Sequence, residues 1–533
     1  MTVPVPDWVS FEADKTGGLD LLGLRAPVQQ IGTLLFDGVT TVTPRLRYMS
    51  VLSWIVWRYA QAELPEKRSS FFEFAAAQES VFVMANRLKS RTVTQLVGAE
   101  GADDELNIAR KRLALKRLTK NIAFNIYVAS SRQLNLTRQA DSGLNQLSEE
   151  RGEALAKAFD KTLESSAYGA RLARKPTTDR ISRDELDELA VPWSVVSIPR
   201  GERDILMDVV IPSKPVDAAE WRRLSHYALL LWLTQTYERP VDEDDGFELA
   251  QHPPHELPAC LAATVGGWLA YVVRDCLAVC HEAVFGAVMR QVDRDCAARS
   301  APALANGVVG ALVASAPEKD EALRAFRILK KGETSDGLSF RAVFERVRAL
   351  CRKGRVEANG LARWEGGLSE TELYNYAASS DDAAVALLPV AWCLALERAP
   401  GGDTGKAGKY DLSGAGGLFQ IGIDAVVRPK VQEFLRGDLG YHAVMAELVT
   451  RTVQQHLRVA WKRFSAPRGK DVSVLIADTE AWSRNNGFRP GRTASRLSVA
   501  LDWLGQLHLT SEDGLTKAGE AVLKRALKAL ERQ

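Results

Sequence analysis

The chain is poor in the residues that usually announce chemistry. Its 533 positions hold six cysteines and seven histidines. Cys260, Cys276, Cys280, Cys296, Cys351 and Cys393 are too few and too unevenly spread for the disulfide framework of a secreted scaffold. The first residues, MTVPVPDWVSFEADK, lack a basic stretch followed by an apolar one, so no secretory signal is expected. Neither sign of charge dominates: 69 Lys/Arg against 67 Asp/Glu give a net charge of +2, which excludes a disordered polyelectrolyte. Long hydrophobic runs are also missing. The longest uncharged ones, Ser300–Pro317 and Leu257–Val273, sit at the lower limit for spanning a bilayer and are diluted by Gly, Ala and Thr or Ser. Together these absences point to a reduced, cytoplasmic setting.

The common catalytic signatures are absent too. There is no Gly-x-Ser-x-Gly elbow, no His-Glu-x-x-His and no Gly-x-Gly-x-x-Gly after a strand. The glycine-rich stretch Gly401–Gly417 invites comparison with a phosphate loop, but neither Gly405-Lys406 nor Gly408-Lys409 is followed by Ser or Thr, and the upstream glycine is misplaced. It reads as an inter-domain linker. His252, His255, Glu256, Cys260, Cys276, Cys280 and His281 form the one cluster with metal-ligand character. Cys276 and Cys280 lie one helical turn apart inside an apolar helix, however, where free cysteine behaves as a small hydrophobe. Asp471, Asp478 and Glu480 with Lys470 are the only acidic set near the basic C-terminus that suits a metal-dependent nuclease. No cofactor is expected.

What the sequence does hold is helical periodicity and a basic end. Apolar residues at three- and four-residue steps recur along most of the chain, giving a mainly α, multi-domain protein. The expected division is an N-terminal helical domain at 1–175, a central helical domain at 176–400 that opens on a proline-rich connector, the linker at 401–417, and C-terminal helices with a winged-helix-like module at 418–533. A helix is expected to start at Thr43-Pro44. Its Arg45, Arg47 and Tyr48 either bind an anion at the helix start or pair with nearby acids. Asp104–Leu134 reads as helical and carries Arg110, Lys111, Arg112, Lys116, Arg117 and Lys120 within 11 positions, a second cationic surface or a solvated helix face. Thr177–Pro215 reads as loops and extended connectors because five prolines, from Pro176 to Pro215, interrupt it. Thr371–Ala399 reads as a helix interrupted at Pro389.

The C-terminal module is expected to open with a short helix at Trp482–Gly487. Leu497, Leu501, Leu504 and Leu507 with Ala494, Ala500 and Trp503 then form one apolar stripe, with Thr493 as the N-cap. Leu509–Thr516 reads as a hairpin turning at Asp513-Gly514, and Thr516 as the cap of a last helix. Between Arg451 and Gln533 there are 15 Lys/Arg against 8 Asp/Glu, a net +7 that leaves the first 450 residues at −5. A basic end on a mildly acidic body is the footprint of a phosphate-contacting module. The candidate DNA-contacting residues are Lys470, Arg484, Arg489, Arg492 and Arg496 for phosphates, with Ser495 and Ser498 for base edges. The competing class is a helical adaptor that binds other protein subunits.

Gly18-Leu19-Asp20 with Leu22-Gly23, the Thr43-Pro44-Arg45-x-Arg47-Tyr48 helix start, Gln455-His456-Leu457-Arg458-Val459-Ala460 and the C-terminal end together resemble bacterial proteins encoded in mobile or phage-defence gene clusters. That resemblance implies a bacterial cytoplasmic origin and work alongside other defence or DNA-processing subunits. It carries over no catalytic residue.

Overall fold

In the computed structural model the apolar periodicity of the sequence is realised as helices, and the strands are short pairs. The structure describes residues 20–108, 110–242, 256–294, 300–314, 317–353, 355–356, 362–363, 370–379, 381–398, 421–465, 473–477, 481–484, 490–493 and 495–533. The protein is mainly helical. It divides into two units, each assembled from separate stretches of sequence. One contains residues 1–32, 247–257 and 262–494, the other 33–246, 258–261 and 495–533. The position 175–176, taken from the sequence as a domain boundary, lies inside the second unit. The linker at 401–417 lies outside the described residues.

The first unit is built on the helix Ala262–Arg294, which packs against Asp381–Arg398, Ala301–Ala314 and Tyr441–Phe464. Its residues from Tyr271 to Met289 are buried without interruption, so no polar face survives. Every polar group there needs a partner within the protein. His281 shows how this is met. Its Nε2 accepts from Trp392 Nε1 at 2.9 Å, and its Nδ1 lies 2.8 Å from Thr452 Oγ1, whose hydroxyl donates to Leu448. The ring is therefore a neutral Nδ1–H tautomer joining three helices. Burial pushes its pKa down to about 3. The helix Asp381–Arg398 runs through Pro389 without the expected interruption.

In the second unit the helix Tyr48–Gln61 is central and packs on Arg151–Asp160 and Ala123–Gln133. It begins at Tyr48, not at Pro44, because Thr43 closes a turn of its own by donating its hydroxyl to Thr40 O. Trp54, Phe159, Trp193 and Phe82 form an aromatic cluster beneath it, with ring centroids 5.2–6.2 Å apart. Arg47 is fully buried beside this cluster. Its guanidinium donates to both carboxylate oxygens of Glu202, at 3.0 and 3.1 Å, and to the carbonyls of Pro192, Ser194 and Ser197. Of the two readings of Arg45, Arg47 and Tyr48, Arg47 follows the acid-pairing one, while Arg45 bonds Thr94 O and Tyr48 takes the Val97 amide.

Two expected elements differ in kind. Asp104–Leu134 is not one helical run: Ala99–Asn107 and Ala123–Gln133 are helices, but Arg112–Ala114 is a strand paired antiparallel with Arg180–Ser182. Leu113 and Ile181 point inward together and Arg112 outward, a period of two that the leucine spacing also satisfies. Thr177–Pro215 is not an irregular connector, since Arg183–Ala190 and Arg200–Val210 are helices. The first has a full capping box between Ser182 and Glu185, and both fit between the prolines.

The chain's last part completes the second unit. Leu497–Gln506, a hairpin pairing Thr510–Ser511 with Gly514–Leu515, and Lys517–Leu530 follow in the expected order, and Thr516 caps the final helix. The turn is Glu512-Asp513, with Gly514 at φ +107° just after it. Trp503 Nε1 donates to Thr43 O, Gln506 bonds both Leu46 N and Pro44 O, and the last helix packs on Ala218–Thr236.

Two outcomes test these arrangements. Arg47→Met strands the buried Glu202 carboxylate and is expected to cost roughly 3–5 kcal/mol in urea unfolding, most of it recovered in Arg47→Met/Glu202→Leu. Because the folded-state pKa of His281 is depressed, its contribution is complete above pH 6.5 and is lost as pH falls from there toward about 3. The difference in stability between wild type and the non-titrating His281→Gln variant should therefore shrink by roughly 1.4 kcal/mol per pH unit below pH 6.

Candidate nucleic-acid interface

The residues picked from the sequence to contact DNA fall in both units. Arg484 ends the strand Trp482–Arg484, which pairs with Leu475–Ala477 in the first unit. This strand stands where the short helix expected at Trp482–Gly487 would start, with Trp482 buried and Ser483 and Arg484 exposed; residues 485–487 lie outside the described residues. The Arg484 guanidinium lies 2.6 Å from Asp293.

The segment Pro490–Thr493, also of the first unit, is held on the helix Ala262–Arg294 by two buried carboxylates. Asp275 accepts from the Thr493 amide at 3.0 Å and lies 3.5 Å from Arg492 Nε. Glu282 forms a two-pronged pair with Arg25, whose guanidinium also donates to Gly491 O at 2.9 Å. Burial raises the pKa of both carboxyls, and the bonds from Thr493 and Arg25 respectively oppose it. Thr493 is thus not a helix cap. The helix begins at Leu497, with Arg496 at its N-cap position, and the Thr493 amide donates instead to Asp275.

In the second unit Ser495 is buried and its hydroxyl accepts from Leu497 N at 3.2 Å. Arg496 donates to Val39 O at 2.6 Å and to Thr33 Oγ1 at 2.7 Å. Ser498 is half-exposed on the helix. Lys470 and Arg489 lie outside the described residues. The three described arginines thus have acceptors within the protein.

The cations that do face water together belong to the segment Arg110–Lys120. Arg110, Lys111, Arg112, Lys116, Arg117 and Lys120 are all exposed, and Arg180 joins Arg112 on the outer face of the two-stranded ribbon. Lys116 pairs with Glu105 at 2.6 Å. Among the described residues, no carboxylate lies within ion-pair distance of Arg110, Lys111, Arg112, Arg117, Lys120, Lys175 or Arg180. Arg183, close by, is used structurally and donates to the carbonyls of Leu106, Ile108 and Arg110. The sequence offered these cations as a helix face, and the structure presents the same charges on a ribbon and its following loop.

The other candidate clusters resolve less far. His281 has both ring nitrogens engaged, Cys276 and Cys280 are buried on the apolar helix, and His252 and His255 lie outside the described residues. Among the described residues no group of three His, Cys, Asp or Glu is placed to hold a metal ion. Lys470, Asp471, Asp478 and Glu480 also lie outside them. His456 is structural: Nδ1 bonds Leu21 O at 3.1 Å, and Nε2 faces the Val474 and Leu475 amides. Among the described residues, no helix is long and apolar enough to cross a membrane. Compared with protein-family models, curated proteins and solved structures, the chain finds no match.

Arg492→Ala/Arg496→Ala removes a charge contact and two hydrogen bonds from a guanidinium to the protein. Thermal or urea unfolding should show a loss of roughly 1–3 kcal/mol, whatever the variant does to nucleic-acid affinity.

Proposed function

We propose that the protein is a non-enzymatic DNA-binding or scaffolding subunit of a bacterial multi-protein system of the anti-phage type, working in the cytoplasm. The observation that carries the nucleic-acid half is the Arg110–Lys120 segment with Arg180: six cations in 11 positions, no acid among them, and only Lys116 in an ion pair among the described residues. Clustered cations without internal partners raise the local potential and exchange bound counterions for phosphates. In this proposal the ribbon and loop contact phosphates. The C-terminal helix, hairpin and helix are the winged-helix-like element, with a structural part to play, because Arg492 and Arg496 are already engaged within the protein.

The scaffolding half has its own support. Trp461 and Phe464, near the end of the helix Tyr441–Phe464, are 69% and 60% exposed with ring centroids 6.4 Å apart. In this proposal the exposed pair anchors another protein subunit, as buried aromatic side chains do at interface hot spots.

A gel-shift titration across salt tests the nucleic-acid half. With four phosphate contacts the log–log slope of affinity against salt should be roughly −3 to −4. Lys111→Glu/Arg112→Glu/Arg117→Glu should flatten that slope to about −1 while leaving the thermal midpoint near that of wild type. Binding that is absent in wild type, or unchanged in the triple variant, rejects the ribbon as the contact surface.

A further inference from the structure

In the second unit a cleft of about 430 Å³ opens beside the cationic ribbon. This lies within the range of roughly 300–1,000 Å³ typical of small-ligand sites. Leu115, the residue after the ribbon strand, and Lys175–Asp179, the loop leading into its partner, form one wall, and the Leu115 amide donates to Asp179 O at 2.8 Å. The opposite wall comes from the helix Arg68–Lys89 and from Tyr59. Tyr59 and Phe74 add aromatic lining, their rings 5.5 Å apart and inclined at 62° to one another.

One buried side-chain atom in this lining has no hydrogen-bond partner. Gln78 is 1% exposed and meets Tyr168 through one end of its amide, at 2.7 Å, while Nε2 has no hydrogen-bond partner. Exchanging the amide's oxygen and nitrogen would not remove the problem, because one end would still be unmatched. A buried amide left half-satisfied beside a cleft points to a ligand that supplies the other half. Glu73 and Asp179 add two carboxylates to the lining and Lys175 one ammonium, a balance that disfavours a phosphate inside the cleft. It suits a flat heterocycle with donors and acceptors along its edge.

We propose that this cleft holds an unstacked nucleobase of a single strand whose phosphates run over the Arg110–Lys120 ribbon. The base lies against Tyr59 and Phe74, and its polar edge meets Gln78 and a carboxylate. Aromatic stacking of this kind accepts any base and distinguishes an unpaired strand from a duplex. The inference rests on the polyanion reading above, and the experiment separates the two.

Fluorescence anisotropy compares a short labelled single strand with a blunt duplex carrying the same number of phosphates. Wild type should bind the single strand roughly ten-fold more tightly, the range of one stacked base. Ser70→Trp, which fills the cleft from its wall, should reduce single-strand affinity to that of the duplex and leave duplex binding unchanged. Glu73→Trp, at an exposed position in the same lining, provides a second blocking variant should the first fail to fold. Equal affinities for the two probes in wild type, both steeply salt-dependent, would overturn the cleft proposal alone, as would a preference for single strand that survives in a folded blocking variant. Failure of both probes to bind wild type would overturn the cleft and polyanion readings together.

Discussion

A guanidinium taken out of water calls for acceptors for its five N–H groups, and two parts of this structure are arranged around that demand. Arg47 is the clearest case. Glu202 takes two of its bonds and three carbonyls from the Pro192–Ser197 segment take the rest. Those carbonyls are within its reach because the segment is neither helix nor strand, and its Trp193 fills the aromatic cluster beside Trp54. The same need orders Pro490–Thr493, where Asp275 and the Arg25–Glu282 pair hold the chain on a helix with no other polar face.

This demand also sorts the arginines by role. Sequence proximity makes Arg484, Arg492 and Arg496 look like one row on a basic module. In the fold each meets a different acceptor: Asp293, Asp275 and the Val39 carbonyl. The Arg110–Lys120 cations are denser in sequence, yet apart from Lys116 they face water without an ion pair among the described residues. A net-charge count cannot separate the two groups, since it registers the charge but not the partner.

The helices were legible because their signals are local. Apolar stripes, the Thr516 cap and the hairpin residues each act within a few positions, and the last helix and hairpin form where the residues put them. The failures have equally physical causes. Leu113 and Leu115 fit a period of two as well as a helical face, and the choice falls to Ile181, far along the chain. The prolines between 176 and 215 mark ends of short helices, which proline permits at first turns and between elements. Thr493 lies too far before the helix start at Leu497 to cap it, and its amide is held by a buried aspartate on another helix. The cleft residues carry no motif: Tyr59, Phe74 and Gln78 look like ordinary helix interior until the strand pairing brings Leu115 and Asp179 across from them.

The discontinuity of the second unit has a consequence for biosynthesis. Residues 33–246 need Leu497–Gln506 and Lys517–Leu530 to cover Thr43–Leu46 and the helix Ala218–Thr236. Chains emerge from the ribosome N-terminal end first. The earlier stretch must therefore wait, with that apolar surface uncovered, while the roughly 250 intervening residues are translated, an interval of about 12–50 s at ordinary elongation rates. Throughout that interval the nascent polypeptide presents a natural client surface for chaperones, and a ribosome stalled before Ser495 would release a product unable to close.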